Sequence, residues 1–288
     1  MAWQLDSETG VLTDVLLCRP ENYRWIPTNA IANRTIASGR DLDPQRLQAE
    51  FRELEDALEG AGTRLHYLDP EPHLSYQVYT RDSSQVTPWG PVLTQLFKPQ
   101  RRGEYASVLK FYGGSDAFWG LSTAGTIEGG DIHIIRPGLL AIGHSGGRTD
   151  KAGAEQFAGW FREAGWEVRL EPFDEHFLHL DVIFSMVADG LALACREVLS
   201  DDFLGWLADH GIRTLDVSYR EAMHQMGCNV LALGRDRVIS PRHSIRINDM
   251  LRAEGISVLD PDLELFAAGG GSVHCMTMPL RREPLEGT

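Results

Sequence analysis

The sequence predicts an α/β fold built from about five copies of a strand–strand–helix–strand unit. Three observations predict it: helices that end at a glycine and lead into a short strand, pairs of apolar runs separated by a turn, and reactive motifs that recur ahead of those pairs. Closing such units into a ring leaves fewer bare strand edges than an open array does. We therefore expect one closed domain over residues 1–288. An ordinary layered α/β fold is the alternative, because helix–glycine–strand punctuation occurs there too.

The helices are predicted from their ends. Glycine is favoured just after a helix because a positive φ costs it no steric clash. Glycines in this position are Gly62, Gly165, Gly211 and Gly255. Helix starts are indicated by side chains that can accept a hydrogen bond from the first turn. The N-cap candidates are Asp43, Thr149, Ser200 and Ser244.

The strands are predicted from paired apolar runs with turn residues between them, a pattern typical of β-hairpins. These pairs cover residues 84–97, 132–143, 180–195 and 227–239. Residues 15–18 and 106–111 are interpreted as parts of weaker copies, which brings the number of units to about five.

Composition limits the class of protein. The chain has 41 acidic residues against 27 lysines and arginines, a net charge of −14, which disfavours nucleic acid and suits small cations. Residues 1–10 lack a basic leader region, and the most apolar stretch, 182–195, is interrupted by Asp189 and Gly190. We therefore expect a cytoplasmic protein with no membrane partner. Its four cysteines show no C-x-x-C spacing, which predicts reduced thiols.

Four motifs carry reactive side chains ahead of a predicted hairpin or at the closing strand. They span residues 80–83, 128–131, 179–181 and 269–275. Because they occupy matching places in the unit, a ring would bring them to one rim near its axis. The sequence therefore predicts a cavity with one thiol, one imidazole and three or four carboxylates. The side chains are Asp82, Glu128, Asp131, His179, Asp181 and Cys275.

Each motif also has an ordinary structural explanation. Cys275 follows three glycines, which permit close backbone approach and favour a displayed thiol, although a lone cysteine is usually a core residue. His179 lies between apolar neighbours, as core histidines do, but Asp181 would share its face in an extended strand. The acids alone are compatible with solvated turns. The remaining cysteines are predicted core residues: Cys18, Cys195 and Cys228.

Two other classes compete with an enzyme of this kind. His176 and His179 could belong to a metal site, but in a strand they would point to opposite faces, and no matching ligand group lies nearby. A non-catalytic binding protein would have no need of a cysteine and a histidine facing acids. We therefore predict an enzyme with no metal and no cofactor.

Together the motifs resemble the guanidino-group modifying (pentein) superfamily, which comprises arginine deiminases, dimethylarginine dimethylaminohydrolases and amidinotransferases. The resemblance extends from residues 16–20 to residues 275–279 and rests on the order of the Glu-Gly-Gly-Asp, His-x-Asp and Cys motifs. It implies a five-bladed α/β propeller of pseudo-fivefold ββαβ units around a central active site.

The resemblance also implies roles for individual residues. Cys275 would be the nucleophile, and His179 would be the general acid and base. The acids that would bind the substrate guanidinium are Asp82, Glu128 and Asp181. Arg101 and Arg148 match positions that bind the substrate α-carboxylate in dimethylargininases.

The implied chemistry suits these residue types. A guanidinium is planar and cationic, so facing carboxylates can hold it by charge-assisted hydrogen bonds and fix its central carbon for attack. The same acids oppose thiolate formation, whereas a bound guanidinium favours it. We expect a covalent S-alkylthiouronium on Cys275, then hydrolysis to a ureido product such as citrulline.

The leaving group and the acceptor stay open at this stage. Close dimethylargininases carry lysine where this chain has Asp181. A methylated nitrogen has fewer N–H donors for the Asp181 carboxylate, so this acid favours an unmethylated guanidine as substrate. The short chain and the two arginines resemble the dimethylargininase branch instead. An amidinotransferase would use the same residues with an amine as acceptor.

Asn29 and Asn33 are candidates for a lid over the substrate, with a polar surface loop as the alternative. A homo-oligomer is compatible with the sequence.

Overall fold

The computed structural model describes residues 3–285, in which the strands form five three-stranded sheets. The strands are β1 (Val11–Cys18), β2 (Arg64–Leu68), β3 (Ser84–Thr87), β4 (Gly90–Leu93), β5 (Gly120–Leu121), β6 (Ile132–Arg136), β7 (Leu139–His144), β8 (Glu167–Pro172), β9 (Phe184–Ala188), β10 (Leu191–Ala194), β11 (Arg213–Asp216), β12 (Leu231–Ala232), β13 (Arg237–Ile239), β14 (Ser257–Leu259) and β15 (Met278–Glu283). The helices are α1 (Ala30–Ala37), α2 (Pro44–Gly60), α3 (Tyr105–Tyr112), α4 (Lys151–Glu163), α5 (Asp201–Asp209), α6 (Tyr219–Gln225), α7 (Ile245–Ala253) and α8 (Glu264–Ala267).

Every sheet has the same internal order. Two strands pair antiparallel, as a hairpin in four of the five sheets, and a third strand, reached through a helix, pairs in parallel with the second. The sheets are β3-β4-β5, β6-β7-β8, β9-β10-β11, β12-β13-β14 and β15-β1-β2. The predicted strand–strand–helix–strand unit is therefore confirmed. In the fifth sheet the last strand, β15, pairs with the first, β1, so the two ends of the chain complete one unit.

The helix ends follow the local sequence, with two corrections. Asp43 caps α2, and Ser200 caps α5 by accepting a hydrogen bond from the backbone N–H of Phe203 at 3.1 Å. The predicted cap at Thr149 is wrong by one residue, because the Asp150 carboxylate accepts from the N–H of Gly153 at 2.8 Å. Ser244 stands ahead of α7 but makes no side-chain capping bond.

The core packs between the sheets and the outer helices. The apolar stripe of α2 is buried, as its spacing predicts, with Leu54 and Leu58 fully inaccessible. Cys18, Cys195 and Cys228 are buried among apolar side chains, which confirms them as core residues. Among residues 3–285, the helices are all too short or too polar to cross a membrane.

Candidate active site

The segments ahead of β3, β9 and β15 meet at a small buried cavity. Its free volume of about 10 Å³ has room for about one water. The side chains that line it are Asn29, Tyr76, Tyr79, Asp82, Arg101, Arg148, Leu178, His179 and Cys275. The predicted thiol, imidazole and one predicted carboxylate thus share one cavity, and the other predicted acids contact these residues.

His179 is held by acids from two other units. Its Nε2 lies 2.8 Å from Glu128 Oε2, and its Nδ1 lies 3.7 Å from Asp82 Oδ1. Gly130 makes this approach feasible: it donates its N–H to Asp82 Oδ1 at 3.2 Å, and a Cβ there would lie 2.8 Å from His179 Nδ1. The Glu-Gly-Gly-Asp motif therefore needs glycine at this position, because any side chain would separate the imidazole from the acid.

These acids change the protonation of the imidazole. Burial lowers the pKa of His179, but the charges of Asp82 and Asp131 and the hydrogen bond to Glu128 outweigh burial and raise it to about 9. Burial alone would raise the pKa of Glu128, whereas Arg148 and His179 hold it well below its ordinary value. At neutral pH the pair is therefore an imidazolium facing a carboxylate, ready to donate a proton.

Asp131 behaves differently from the other acids. Its Oδ1 accepts the backbone N–H of Leu180 at 2.8 Å, and its Oδ2 is buried near the Thr149 hydroxyl. Burial raises the pKa of Asp131 to about 7, against the opposing effect of His179. This carboxyl fixes the backbone that follows His179.

The thiol lies against Asp181. Cys275 Sγ is 3.2 Å from Asp181 Oδ2, and Asn229 Nδ2 donates to the same sulfur at 3.1 Å. Burial, followed by the charges of Asp181 and Asp82, raises the pKa of the Cys275 thiol well above its ordinary value. The side chain is only 2% exposed, but its polar contacts distinguish it from the three core cysteines.

The expectation that His179 and Asp181 share one face of a strand is wrong. Residues Leu180–Val182 form a 3₁₀ turn, closed by hydrogen bonds from Val182 N to His179 O at 3.2 Å and from Ile183 N to Leu180 O at 2.9 Å. Positions i and i+2 in such a turn lie about a third of a turn apart. The imidazole therefore faces Glu128 and Asp82, while the Asp181 carboxylate faces Cys275.

The two predicted carboxylate-binding arginines are buried and contact acids of the site. Arg101 donates to Asp82 Oδ2 at 2.5 Å and makes a two-pronged contact with Glu104, both bonds measuring 2.8 Å. Arg148 donates to Glu128 Oε2 at 3.3 Å and to the carbonyl of Thr28 at 3.2 Å. Their role toward a substrate carboxylate stays a prediction.

Asn229 is a site residue that the sequence reasoning missed. Its Oδ1 accepts the backbone N–H groups of Ser272 and Cys275 at 3.0 and 3.2 Å, so it holds the loop that carries Cys275. It precedes β12, the place that Asp82 occupies ahead of β3. Its matching position in the repeat could have indicated it, but an uncharged amide is a weaker sign of chemistry than a carboxylate or an imidazole.

Asn29 reaches the cavity from α1. Its Oδ1 caps the helix by accepting from Ala32 N at 2.8 Å, and its Nδ2 donates to the carbonyl of Gly269 at 3.0 Å. Gly270 has φ +101°, and a Cβ there would lie 2.7 Å from the Asn29 amide. Asn33 is exposed, and it lies on helix α1 rather than in the predicted loop.

A wider cleft of about 320 Å³ lies outside the cavity and shares Asn29, Arg148 and Leu178 with it. Leu178 has φ +69° and ψ −75°, and the N–H of His179 donates to the carbonyl of Phe177 at 2.8 Å. This is a γ-turn with a positive φ, a strained conformation for a leucine. The strain is therefore located at the passage to the cavity, next to the imidazole.

Among the described residues, two groups are close enough to hold a metal: Asp82 with Glu128 and His179, and Glu8 with His133 and His274. His176 belongs to neither, because it is directed to the surface and contacts Tyr219 at 2.9 Å. In the first group, Arg101 and Arg148 already place positive charge against the acids. Asp82 and Glu128 are therefore already paired with the guanidinium groups of two arginines.

Comparisons with known proteins agree with this geometry. The family model described as N,N dimethylarginine dimethylhydrolase, eukaryotic, matches residues 25–282. The protein YkgA of Bacillus subtilis is 29% identical over 280 residues, which cover 96% of this chain and 94% of YkgA. An arginine deiminase of Rhodococcus erythropolis is 29% identical over 264 residues, and the match covers 77% of this chain but only 64% of that enzyme.

A solved structure shows the same fold. The N-terminal domain of ArgZ, an arginine dihydrolase from cyanobacteria, superposes with a TM-score of 0.80 at 18% identity, covering 93% of this chain and 98% of that domain. The family match spans most of the chain and includes every residue of the cavity. The chain therefore belongs to the N,N dimethylarginine dimethylhydrolase family, within the pentein superfamily of guanidino-group modifying enzymes.

Proposed function

We propose that this protein hydrolyses the guanidino group of arginine or an arginine derivative through a covalent intermediate on Cys275. The observation that carries the proposal is a buried cavity lined by a thiol, an imidazolium and the Asp82 carboxylate, with Glu128 in contact with the imidazole and Asp181 in contact with the thiol. Asp181 Oδ1 is buried without a hydrogen-bond partner among residues 3–285. Such an acceptor is costly to bury unless a donor reaches it, and a guanidinium supplies five N–H donors.

The arrangement supports a two-stage reaction. On binding of the cationic substrate, the Cys275 thiol would lose its proton to solvent, because the positive charge of the substrate offsets the field of Asp181 and Asp82. The sulfur then bonds to the guanidinium carbon, and His179 protonates the departing nitrogen, which leaves as ammonia. Neutral His179 next takes a proton from water, whose oxygen attacks the S-alkylthiouronium carbon. The C–S bond breaks, and the products are a ureido compound and the free thiol.

The proposal includes a closed five-bladed ring around this cavity. The pairing of β15 with β1 supports it, since the two ends of the chain together complete one unit. The polar residues that meet at the site also come from all five units: Asn29 and Cys275 share the β15-β1-β2 unit, and the other four units supply Asp82, Glu128, His179 and Asn229.

Two substrates are distinguished by what leaves. Arginine would release ammonia, and the unpaired oxygen of Asp181 favours it because an unmethylated nitrogen keeps both donors. Release of a methylamine from a methylated arginine is the second candidate, favoured by the family to which the chain belongs.

The test is incubation of the purified protein with arginine, methylated arginines, agmatine and guanidino acids, each with and without an amine acceptor. Mass spectrometry would resolve ammonia, methylamines, ureido products and transferred amidino groups. We expect a ureido product from the wild type and none from Cys275→Ala, whose fold should be intact. Turnover by Cys275→Ala would refute the covalent mechanism, and an amidino-transfer product would identify an amidinotransferase.

A further inference from the structure

A second buried polar cluster, Glu8 with His133 and His274, lies behind the active site, and we call it the rear cluster. Glu8 Oε2 lies 3.1 Å from His133 Nδ1, and Glu8 Oε1 lies 3.9 Å from His274 Nε2. The two imidazole rings stack with centroids 5.4 Å apart and planes 11° from parallel. The reaction described above uses none of these side chains.

The rear cluster touches the active site through Asp181. His274 Nδ1 lies 2.8 Å from Asp181 Oδ2, the same oxygen that lies 3.2 Å from Cys275 Sγ. Asp181 Oδ1 has no hydrogen-bond partner among the described residues. The imidazole thus occupies one oxygen of the carboxylate and leaves the other for a donor from the substrate.

The charges around the His274 ring favour this arrangement. Each ring nitrogen faces a carboxylate, Nδ1 that of Asp181 and Nε2 that of Glu8. Despite burial, the hydrogen bond from His274 lowers the pKa of Asp181, and His133 and His274 hold the pKa of Glu8 well below its ordinary value. The charged or titratable groups near the ring come from five segments: Glu8, Arg81, His133, Asp181 and Arg282.

We propose that His274 is a positioning residue that orients Asp181 toward the substrate guanidinium and offsets its negative field at the Cys275 thiol. Glu8 and His133 hold the His274 ring in place. Arg81 and Arg282, which line the same small cavity as Glu8 and His274, disfavour a metal ion there. The inference rests on the proposed function for the identity of the substrate, but the effect on the thiol does not depend on it.

Two substitutions at one position separate orientation from charge. His274→Asn retains an N–H near the position of Nδ1, whereas His274→Leu retains none. Loss of one charge-assisted hydrogen bond should raise KM for the guanidino substrate by about tenfold to a hundredfold in His274→Leu, with a smaller change in kcat. His274→Asn should recover most of that loss, which a purely structural role would not predict.

The second readout needs no substrate. Alkylation of Cys275 by iodoacetamide, followed by peptide mass spectrometry across pH, reports the ionisation of the thiol, and Cys275→Ser identifies the labelled peptide. Both His274 variants should shift the alkylation profile to higher pH, His274→Leu by more, because each weakens or removes the hydrogen bond that draws negative charge on Asp181 away from the thiol. Glu8→Gln leaves His274 in place and covers the case in which a His274 variant fails to fold; a ring held less firmly should raise KM in the same direction but by less.

Several results would overturn the assignment. Equal KM increases in the Asn and Leu variants would show that the ring only fills space, and an unchanged alkylation profile in all variants would remove the electrostatic role. A rise in melting temperature with Zn²⁺ that is lost in His133→Asn would identify the rear cluster as a metal site instead. If the wild type turned over no guanidino compound, the proposed function would fail while the alkylation result still tested His274.

Discussion

The contact between Asn229 and the thiol gives the sharpest prediction of the site chemistry. Asn229 donates Nδ2 to Cys275 Sγ at 3.1 Å and accepts two backbone N–H groups of the nucleophile loop on Oδ1. Asn229→Asp keeps an acceptor for both N–H groups but replaces the donor with a negative charge. At an effective dielectric constant of about 20, a carboxylate about 3 Å from a thiolate costs on the order of 5 kcal/mol, equivalent to several pKa units.

We therefore expect Asn229→Asp to keep the two loop contacts but to lose most activity, because Cys275 would resist ionisation. The buried carboxylate should also lower the free energy of unfolding, because the carbonyl of Asp181 loses its donor. Asn229→Ala is the contrasting variant. It leaves the N–H groups of Ser272 and Cys275 buried without their acceptor, at a cost of about 1–3 kcal/mol each. Its free energy of unfolding should fall by roughly 2–6 kcal/mol on that ground.

The assays are urea denaturation for stability and the pH profile of Cys275 alkylation for thiol ionisation. Asn229→Asp should alkylate only at higher pH than the wild type. An unchanged alkylation profile in Asn229→Asp would show that the 3.1 Å contact does not govern the thiol. Wild-type stability in Asn229→Ala would show that the two hydrogen bonds accepted by Asn229 Oδ1 do not stabilise the loop.

Three further predictions follow from the site. The pKa of His179 is raised to about 9, and the ring must be protonated to assist the leaving group. Initial rates should therefore show kcat/KM falling as pH rises through about 9. A fall centred near the ordinary histidine pKa would contradict the ion-pair geometry. The folded-state pKa of Asp131 is raised to about 7, so its stabilising contribution is present below its unfolded pKa and is lost as pH rises through about 7. Denaturation across pH should therefore show that Asp131→Asn removes about 4 kcal/mol of pH-dependent stability between pH ~4 and ~7. Gly130→Ala should reduce kcat/KM about a hundredfold, because the added Cβ displaces His179. The control is Gly159→Ala on α4, where a Cβ meets open space and activity should not change. Equal activity in the two variants would refute the steric requirement.

The fold was largely predictable because its signals are local. A glycine after a helix and turn residues between apolar runs mark ends within a few residues, and the hairpin predicted at residues 132–143 is observed as β6 and β7. The turn at Leu180–Val182 was missed because three residues of 3₁₀ structure have no periodic signature. The rear cluster depends on Glu8 meeting His133 and His274, a long-range contact that no local pattern encodes.

The protonation of the resting site suggests why the cavity is built from acids although its nucleophile is a thiolate. Burial and Asp181 keep Cys275 protonated, and the acids around His179 keep that ring protonated as well. The free protein therefore holds a protonated thiol beside a protonated imidazole, in a cavity with room for about one water. In the proposed reaction, a guanidinium that enters past Leu178 would supply the positive charge that the thiol lacks, and its leaving nitrogen would accept the proton that His179 already carries. Ionisation of the thiol would then depend on the bound cation, so neutral reagents such as iodoacetamide should modify Cys275 only slowly at neutral pH.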